Sequence, residues 1–247
     1  MADRLKYTLH GFWGERSVTA DDVTERVRKS FEVLAEVGPP LDAPWTIEYT
    51  HAIDVSDFAA LRAHVINSQA RDDRGEPWLV EEFQPQFELG NYDVPVSVEN
   101  DLGALSVASG AARGVGSSLV GKMVLTFEGE TFATQARASA RELLRGFARA
   151  WQPEYLAFTD SSLLTKRRQS RLEPGYPSWG YVAWVSDHVS SELDEVDGVT
   201  VERFGDGSLI STNTWDAQQA AEVWVSLVKS GRLRVAPPVQ ETLPAVP

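Results

Sequence analysis

The chain has 247 residues, a formal net charge of −13 and no cysteine. This length suffices for one large domain or two small ones. The lack of cysteine excludes disulfides and thiolate chemistry. The acidity argues against direct nucleic-acid binding, because such proteins neutralise phosphates with Lys and Arg. No apolar run is long enough for a transmembrane helix, and the first residues lack the apolar core of a secretory signal. We therefore expect a cytoplasmic globular protein.

The first elements are a strand and a capped helix. Residues 4–13 predict an opening strand, and the spacing of Thr19 and Asp22 is typical of a helix N-terminus. Apolar residues then recur at helical spacing over 23–37, which predicts an amphipathic helix. Gly38 and the two prolines after it would end this helix.

The middle of the chain predicts shorter elements. Residues 45–49 alternate like a strand, and Asp57 is placed to cap a second helix that runs to Ile66. Residues 70–90 are polar and acidic with three aromatics, which predicts a loop that wraps the surface. Three strand-like segments with short glycine-containing links then predict an antiparallel meander at 94–99, 104–109 and 118–127.

The second half of the chain completes the fold class. The predicted elements are a helix at 134–150 ended by Pro153, a strand at 155–158, a polar connection at 160–171, an aromatic strand at 179–186, a hairpin with Asp206-Gly207 as its turn signal, and a helix at 215–228. Because strands and helices do not alternate strictly, we predict an α+β fold: an antiparallel sheet (meander and hairpin) packed with about four helices. Residues 1–230 would form a single domain, with a two-lobe division near residue 90 as a second arrangement, and residues 231–247 a loose Pro-rich tail.

No segment predicts catalytic machinery. The sequence GSSLVGKM at 116–123 nearly matches a phosphate-binding loop, but Met123 replaces the hydroxyl that ligates magnesium and the following residues are strand-like. His51 with Asp54 would make a catalytic pair, although a hydrogen-bonded loop histidine is the more common outcome of such a pattern. The histidines lack metal-ligand spacing, and scattered carboxylates leave glycoside hydrolysis open. We predict no catalytic residue, no cofactor and no metal.

Charged residues give the best candidates for contact with a partner. A ladder of arginines at i,i+4 spacing would bind an anion, form a solvated helix face or pair with the protein's own acids: Arg137, Arg141, Arg145 and Arg149. Acids on protruding turns suit a basic protein surface, with turn chemistry and solubility as the alternative. The residues that we predict to contact such a partner are Glu81, Glu82, Tyr176, Glu192, Asp194, Glu195, Asp197 and Asp206.

Four features in chain order resemble the immunity-protein 52 family of bacterial polymorphic toxin systems. They are Phe12-Trp13-Gly14 after the first strand, a helix end at Ala150-Trp151-Gln152-Pro153, a short strand from Tyr155, and GYPSWGYVAW at 175–184. The resemblance spans roughly residues 5–230. It implies a cytoplasmic α+β protein, not an enzyme, that binds and neutralises a cognate toxin, often a nuclease. A hydrolase or transferase that uses scattered carboxylates and a histidine remains an alternative, as does a non-enzymatic scaffold protein.

Overall fold

The structure of the protein is a computed structural model. It describes residues 5–14, 18–42, 46–47, 51–52, 56–68, 74–75, 86–92, 102–108, 112–114, 117–119, 121–172, 175–193 and 196–236. Of the described residues in 46–52 and 86–119, only the backbone is described. Across these ranges, none of the helices has the length and apolar character needed to cross a bilayer.

An antiparallel sheet of ten strands organises the described chain. The described residues form twelve strands in all: β1 Lys6–Phe12, β2 Thr46–Ile47, β3 His51–Ala52, β4 Gln86–Tyr92, β5 Leu102–Ala108, β6 Ala112–Gly114, β7 Ser117–Leu119, β8 Lys122–Glu128, β9 Tyr155–Asp160, β10 Val182–Ser186, β11 Val199–Arg203 and β12 Gly207–Thr212. The order in the sheet is β11-β12-β10-β9-β1-β8-β5-β4-β2-β3, and β6 and β7 form a separate pair. The first strand therefore lies in the interior, between β8 and β9.

Helices pack around this sheet, and the α+β class is confirmed. The described helices number six rather than about four: α1 Ala20–Val37, α2 Phe58–Asn67, α3 Glu130–Ala138, α4 Ala140–Trp151, α5 Ser161–Gln169 and α6 Ala217–Lys229. The predicted cap of α1 is present, since the Thr19 hydroxyl accepts from the Asp22 amide and the Thr19 amide donates to the Asp22 carboxylate. Asp57 likewise caps α2 by accepting from the amide of Ala60.

Three predictions of local structure were wrong. The single helix at 134–150 starts earlier and is divided at Ser139, whose backbone angles (φ −103°, ψ 17°) leave the helical range. The polar connection at 160–171 is largely helix α5, because Asp160 caps it through the amide of Leu163. The end of the loop at 70–90 belongs to strand β4, which pairs with β5. The strand predicted at 94–99 lies outside the described residues.

The hydrophobic core is densest around three strands. All residues of β10 and β12 are buried, as are the first five residues of β9. The predicted aromatic strand forms this interior, with Trp179, Tyr181 and Trp184 buried. Gly180 allows the chain to enter it, since a Cβ there would lie 2.5 Å from the carbonyl oxygen of Val182.

The segment after the last helix packs onto the body of the protein as far as residue 236. Leu233 and Ala236 are buried. The Arg234 amide donates to the carbonyl of Val189, and the Ala236 amide donates to that of Gly175. The remainder of the predicted tail lies outside the described residues. The prediction of a single domain, or of two lobes dividing near residue 90, remains a prediction.

Candidate functional site

The late hairpin, formed by β11 and β12, ends the sheet on one side. Among the described strands, β12 pairs with both β10 and β11, whereas β11 pairs with β12 alone. The turn is closed by a hydrogen bond from the Phe204 amide to the Gly207 carbonyl, and Gly205 supplies the positive φ of 59°. The prediction placed the turn signal at Asp206-Gly207. In the structure Asp206 ends the turn and Gly207 begins β12, packed against Trp184.

The arginine ladder holds this hairpin against α4. Arg141 and Arg145 each place a guanidinium nitrogen 2.7 Å from the carboxylate of Glu202. The hydrogen bond from Arg145, and then that from Arg141, lowers the pKa of Glu202. Glu202, one of the acids of the hairpin, is therefore ionised and bound within the chain at neutral pH, because hydrogen bonds to a carboxylate stabilise its charged form.

A second set of contacts surrounds Phe204 at the turn. The Arg149 guanidinium lies 4.9 Å from the centre of its ring, and that of Arg145 lies 6.0 Å away. The indole nitrogen of Trp184 donates to the Phe204 carbonyl at 3.0 Å. Cations over an aromatic face are attracted by its negative charge density. Arg141 and Arg145 thus pair with an acid of the protein itself, as one of the three interpretations expects, and fix the position of the hairpin.

Three of the predicted contact acids lie exposed near the hairpin. In the described part of the chain, no hydrogen bond or ion pair engages the carboxylates of Glu192, Asp197 and Asp206. The Asp206 carbonyl accepts from the amide of Asp187 at the turn. Asp197 lies at the other end of β11, which has five residues and spans about 16 Å at the usual rise of a strand. The acids therefore flank the strand and do not form one cluster.

The other predicted contact residues divide into two groups. Tyr176 is only partly exposed and packs against the hydrophobic core, so much of its ring is used inside the protein. Glu81, Glu82, Asp194 and Glu195 lie outside the described residues. Of the three exposed acids described above, Glu192 has a left-handed backbone (φ 49°), a conformation that is uncommon for residues other than glycine and asparagine.

A buried carboxylate that the sequence analysis did not single out lies beneath the loop after β10. Glu154 is 0% exposed, accepts from the Ser186 hydroxyl at 2.6 Å, and faces the Nδ1 atom of His188 at 3.4 Å. The serine donates to the carboxylate and not to the imidazole, which differs from the order in a serine–histidine relay. The only signal in the sequence is the position of Glu154 directly before the apolar strand from Tyr155. The contacts of Glu154 with Ser186 and His188 join the start of β9 to the end of β10 and the loop after it.

An aromatic group lies at the other ends of strands β9 and β10 from Glu154. The Tyr181 hydroxyl donates to Asp160 at 3.0 Å, and burial, with the nearby Asp160 charge, raises the pKa of Tyr181. The Trp215 ring stacks on Tyr181 at 4.8 Å, and the Arg137 guanidinium lies 4.6 Å from the centre of Trp215. Arg137, the first arginine of the ladder, therefore covers this aromatic group.

The remaining candidates for chemistry are the phosphate-loop-like sequence and the histidines. Lys122 of the phosphate-loop-like sequence opens strand β8, whereas that motif must open a helix. Only the backbone of His51 is described, and Asp54 lies outside the described residues. Burial, and then the charge of Lys122, lowers the pKa of His10. Within the described ranges no three His, Asp or Glu residues are grouped so that they could hold a metal ion.

Comparisons with known proteins include a likeness to a solved structure. No family model and no curated protein matches the chain. The chain is similar to a solved structure described as "Pseudomonas aeruginosa T6SS protein PA0821", with 15% sequence identity and a TM-score of 0.48, over 92% of this chain and 76% of that chain. At this level of similarity the comparison assigns no family and no function.

Proposed function

We propose that this chain is an immunity protein that binds a cognate bacterial toxin and occludes its active site. The observation that carries the proposal is the pair of exposed carboxylates at the ends of β11. Asp197 and Asp206 have no partner among the described residues, while Glu202 between them is bound by Arg141 and Arg145. A fixed strand therefore presents unpaired negative charge at both of its ends.

Preorganised charge is well suited to binding a basic protein surface. A net charge of −13 accelerates the encounter with a basic partner. The contacts of Glu202 and Phe204 with α4 hold the hairpin before binding. Less conformational freedom is then lost on association. A toxin that cleaves nucleic acid has a basic active site, and carboxylates can occupy the positions of its substrate phosphates.

The resemblance to the immunity-protein 52 family supports the same proposal. Its most characteristic residues form the scaffold: Trp151 stacks on Trp13 at 5.2 Å and donates to the Ser30 hydroxyl, and Trp179 is buried. Scaffold residues of this kind leave the surface to vary with the partner. We therefore place toxin recognition on the hairpin and its neighbouring loops rather than on the aromatic signature.

The absence of enzymatic activity is part of this proposal. Glu154, Ser186 and His188 are the nearest approach to a catalytic group among the described residues. The carboxylate is fully buried and hydrogen-bonded to the serine. We propose that this group holds the loop after β10 in place and does not act on a substrate.

The direct test is co-expression with the toxin. The toxin domain is sought as the variable C-terminal domain encoded by the gene next to that of this protein. We expect cells that produce this domain to die, and cells that also produce the present chain to survive. Death of the cells despite abundant folded protein would refute the immunity function.

Charge reversal tests which surface acts. The variant with Asp197→Lys and Asp206→Lys should associate with the toxin about tenfold more slowly at low salt, with a weaker salt dependence. A matched control reverses Glu36 and Asp42, which are also exposed but lie on and after α1. Both variants change the net charge equally. If the two lose the same association rate, only overall charge matters and the hairpin has no special role.

A further inference from the structure

We infer that the outer edge of β11 is a docking site for an extended segment of a basic partner protein, which would add a strand to the sheet. The inference rests on the proposed function, because it takes the partner to be the toxin. It goes further in naming the backbone groups that bind and the kind of segment that they accept. Pairing of a partner strand with an exposed sheet edge is a general mode of peptide recognition.

The hydrogen bonds at the two ends of the hairpin show which backbone groups face outward. The Asn213 amide donates to the Gly198 carbonyl, and the Phe204 amide donates to the Gly207 carbonyl. In an antiparallel pair, hydrogen-bonded and non-hydrogen-bonded positions alternate. The amides and carbonyls of Val199 and Val201 therefore point away from β12.

This edge is open and yet held in place. Where the structure describes the chain, no backbone hydrogen bond engages the outward groups of Val199 and Val201. An open row of backbone groups is a template for strand pairing, and proteins normally cover or shorten such edges. The side chains of both valines pack against the core, while Glu202 is bound to α4. β11 therefore needs no rearrangement before a partner strand pairs with its outer edge.

The carboxylates around the edge favour a basic occupant, since the exposed Arg203 of the same strand is already paired with Asp187. Asp197 precedes β11 and Asp206 follows it, and both are exposed. A segment with a basic residue at each end would meet both carboxylates, while apolar residues beside Val199 and Val201 would extend the partly buried face. Within the strand, the charge of Glu202 is already balanced by Arg141 and Arg145. Neutral residues of the partner segment therefore fit best beside it. A second copy of this chain, with its own charge of −13, fits poorly.

A synthetic peptide provides the first test. The probe has the sequence Lys-Thr-Val-Thr-Val-Thr-Lys with blocked ends, and the readout is amide exchange measured by NMR on the wild-type chain. We expect saturating peptide to slow the exchange of the Val199 and Val201 amides about tenfold or more, because these amides become hydrogen-bonded. The amides of Thr200 and Glu202 should change much less, since they already face β12.

The control peptide has the same sequence with both valine nitrogens methylated. Methylation removes the donors that would pair with β11 and keeps every charge. We expect its binding to fall about tenfold or more, because two backbone hydrogen bonds are lost. If the methylated peptide binds equally well, attraction is purely electrostatic and strand pairing is refuted.

A variant of the protein tests the same edge during toxin neutralisation. Val201→Pro removes one outward donor and leaves the hydrogen bonds to β12 in place, and proline is tolerated on edge strands of this kind. Val201→Ala removes the side chain and keeps the donor. We expect the proline variant to bind the toxin at least about tenfold more weakly than the alanine variant. Equal binding by two folded variants would overturn the inference.

The two proposals can fail separately. If wild-type and Val201→Pro chains rescue cells equally, the immunity function stands and the docking edge is refuted. If the wild-type chain fails to rescue cells while the peptide still protects Val199 and Val201, the edge stands and the immunity function is refuted. Without peptide, the exchange of these amides could also slow as the protein concentration rises. If sedimentation then showed a dimer, the edge would be assigned to a second copy instead.

Discussion

The two strands of the late hairpin are held in different ways. Every residue of β12 is buried between β10 and β11. None of the five residues of β11 is fully buried, and its position depends on the arginines of α4. Close packing therefore fixes the inner strand, while partly buried valines together with charge and cation–aromatic contacts to α4 hold the outer one. A strand held in this second way keeps its outer edge available for another chain.

The largest effect is expected from filling space on the inner strand. In Gly207→Val the new Cβ would lie 2.3 Å from the Val185 carbonyl oxygen and 2.6 Å from the Trp184 ring. Backbone and a buried indole cannot both move, so we expect a loss of about 3 kcal/mol or more in the free energy of unfolding. Urea denaturation followed by tryptophan fluorescence measures this loss.

The turn provides the matched control for that substitution. Gly205 has a positive φ of 59°, and no atom lies within 4 Å of a Cβ built there. Gly205→Ala should therefore cost only the conformational strain, about 1 kcal/mol. Equal losses at the two glycines would contradict the distinction between a packed inner strand and an exposed turn.

The next largest effect is expected at the buried carboxylate beside the inner strands. Glu154→Ala leaves the Ser186 hydroxyl without its acceptor and opens a cavity, and we expect a loss of about 2–3 kcal/mol. His188 is 69% exposed, so His188→Ala should cost about 0.5 kcal/mol or less. A loss for His188→Ala clearly above about 0.5 kcal/mol would show that the imidazole, and not the serine, stabilises Glu154. Thermal and urea unfolding measure both values.

A smaller and more local effect is expected on the outer strand. Replacement of Arg141 and Arg145 by alanine removes both ion pairs to Glu202. Exposed ion pairs contribute little to global stability, so the unfolding midpoint should hardly change. Amide exchange at Thr200 and Glu202 should nevertheless become severalfold faster, because the hairpin separates from α4 more often. Unchanged exchange would show that the arginines do not hold the outer strand.

The smallest effect is expected from acidification. The arginine hydrogen bonds lower the pKa of Glu202 below its ordinary value of 4.5. A carboxylate with a lowered pKa in the folded state stabilises that state above its unfolded pKa, and the contribution is lost as the pH falls through the folded value. The hairpin contacts should therefore persist at neutral pH and weaken only below about pH 4.5. An NMR titration of Glu202, with Glu202→Gln as the pH-insensitive control, tests this sign.

Local signals in the sequence predicted the parts of the fold that depend on neighbouring residues. The spacing of Thr19 and Asp22 predicted the cap of α1, and the buried aromatic strand was predicted from its composition. Helix α5 was missed because only Leu163 of its residues is buried, so no apolar stripe marks it. Asp160 before it and the basic residues in its last turn are the signals that could have indicated this helix.

The site depends on contacts between distant residues, which a single sequence does not reveal. Arg141 and Glu202 lie 61 positions apart, and their pairing requires the hairpin to fold back on α4. The sequence placed Asp197 and Asp206 on protruding turns, and both are exposed in the structure. Their placement at opposite ends of an open edge follows from the order of strands in the sheet, which depends on the whole chain.

Amide exchange of this chain in complex with the toxin domain tests most directly whether the toxin pairs with the outer edge of β11. We expect the Val199 and Val201 amides, which face outward in the hairpin, to be the ones most slowed by the toxin. Residues around Asp197 and Asp206 should show smaller changes in the same complex. A tight complex that leaves the exchange of Val199 and Val201 unchanged would refute pairing at this edge, because the toxin would then bind a different surface.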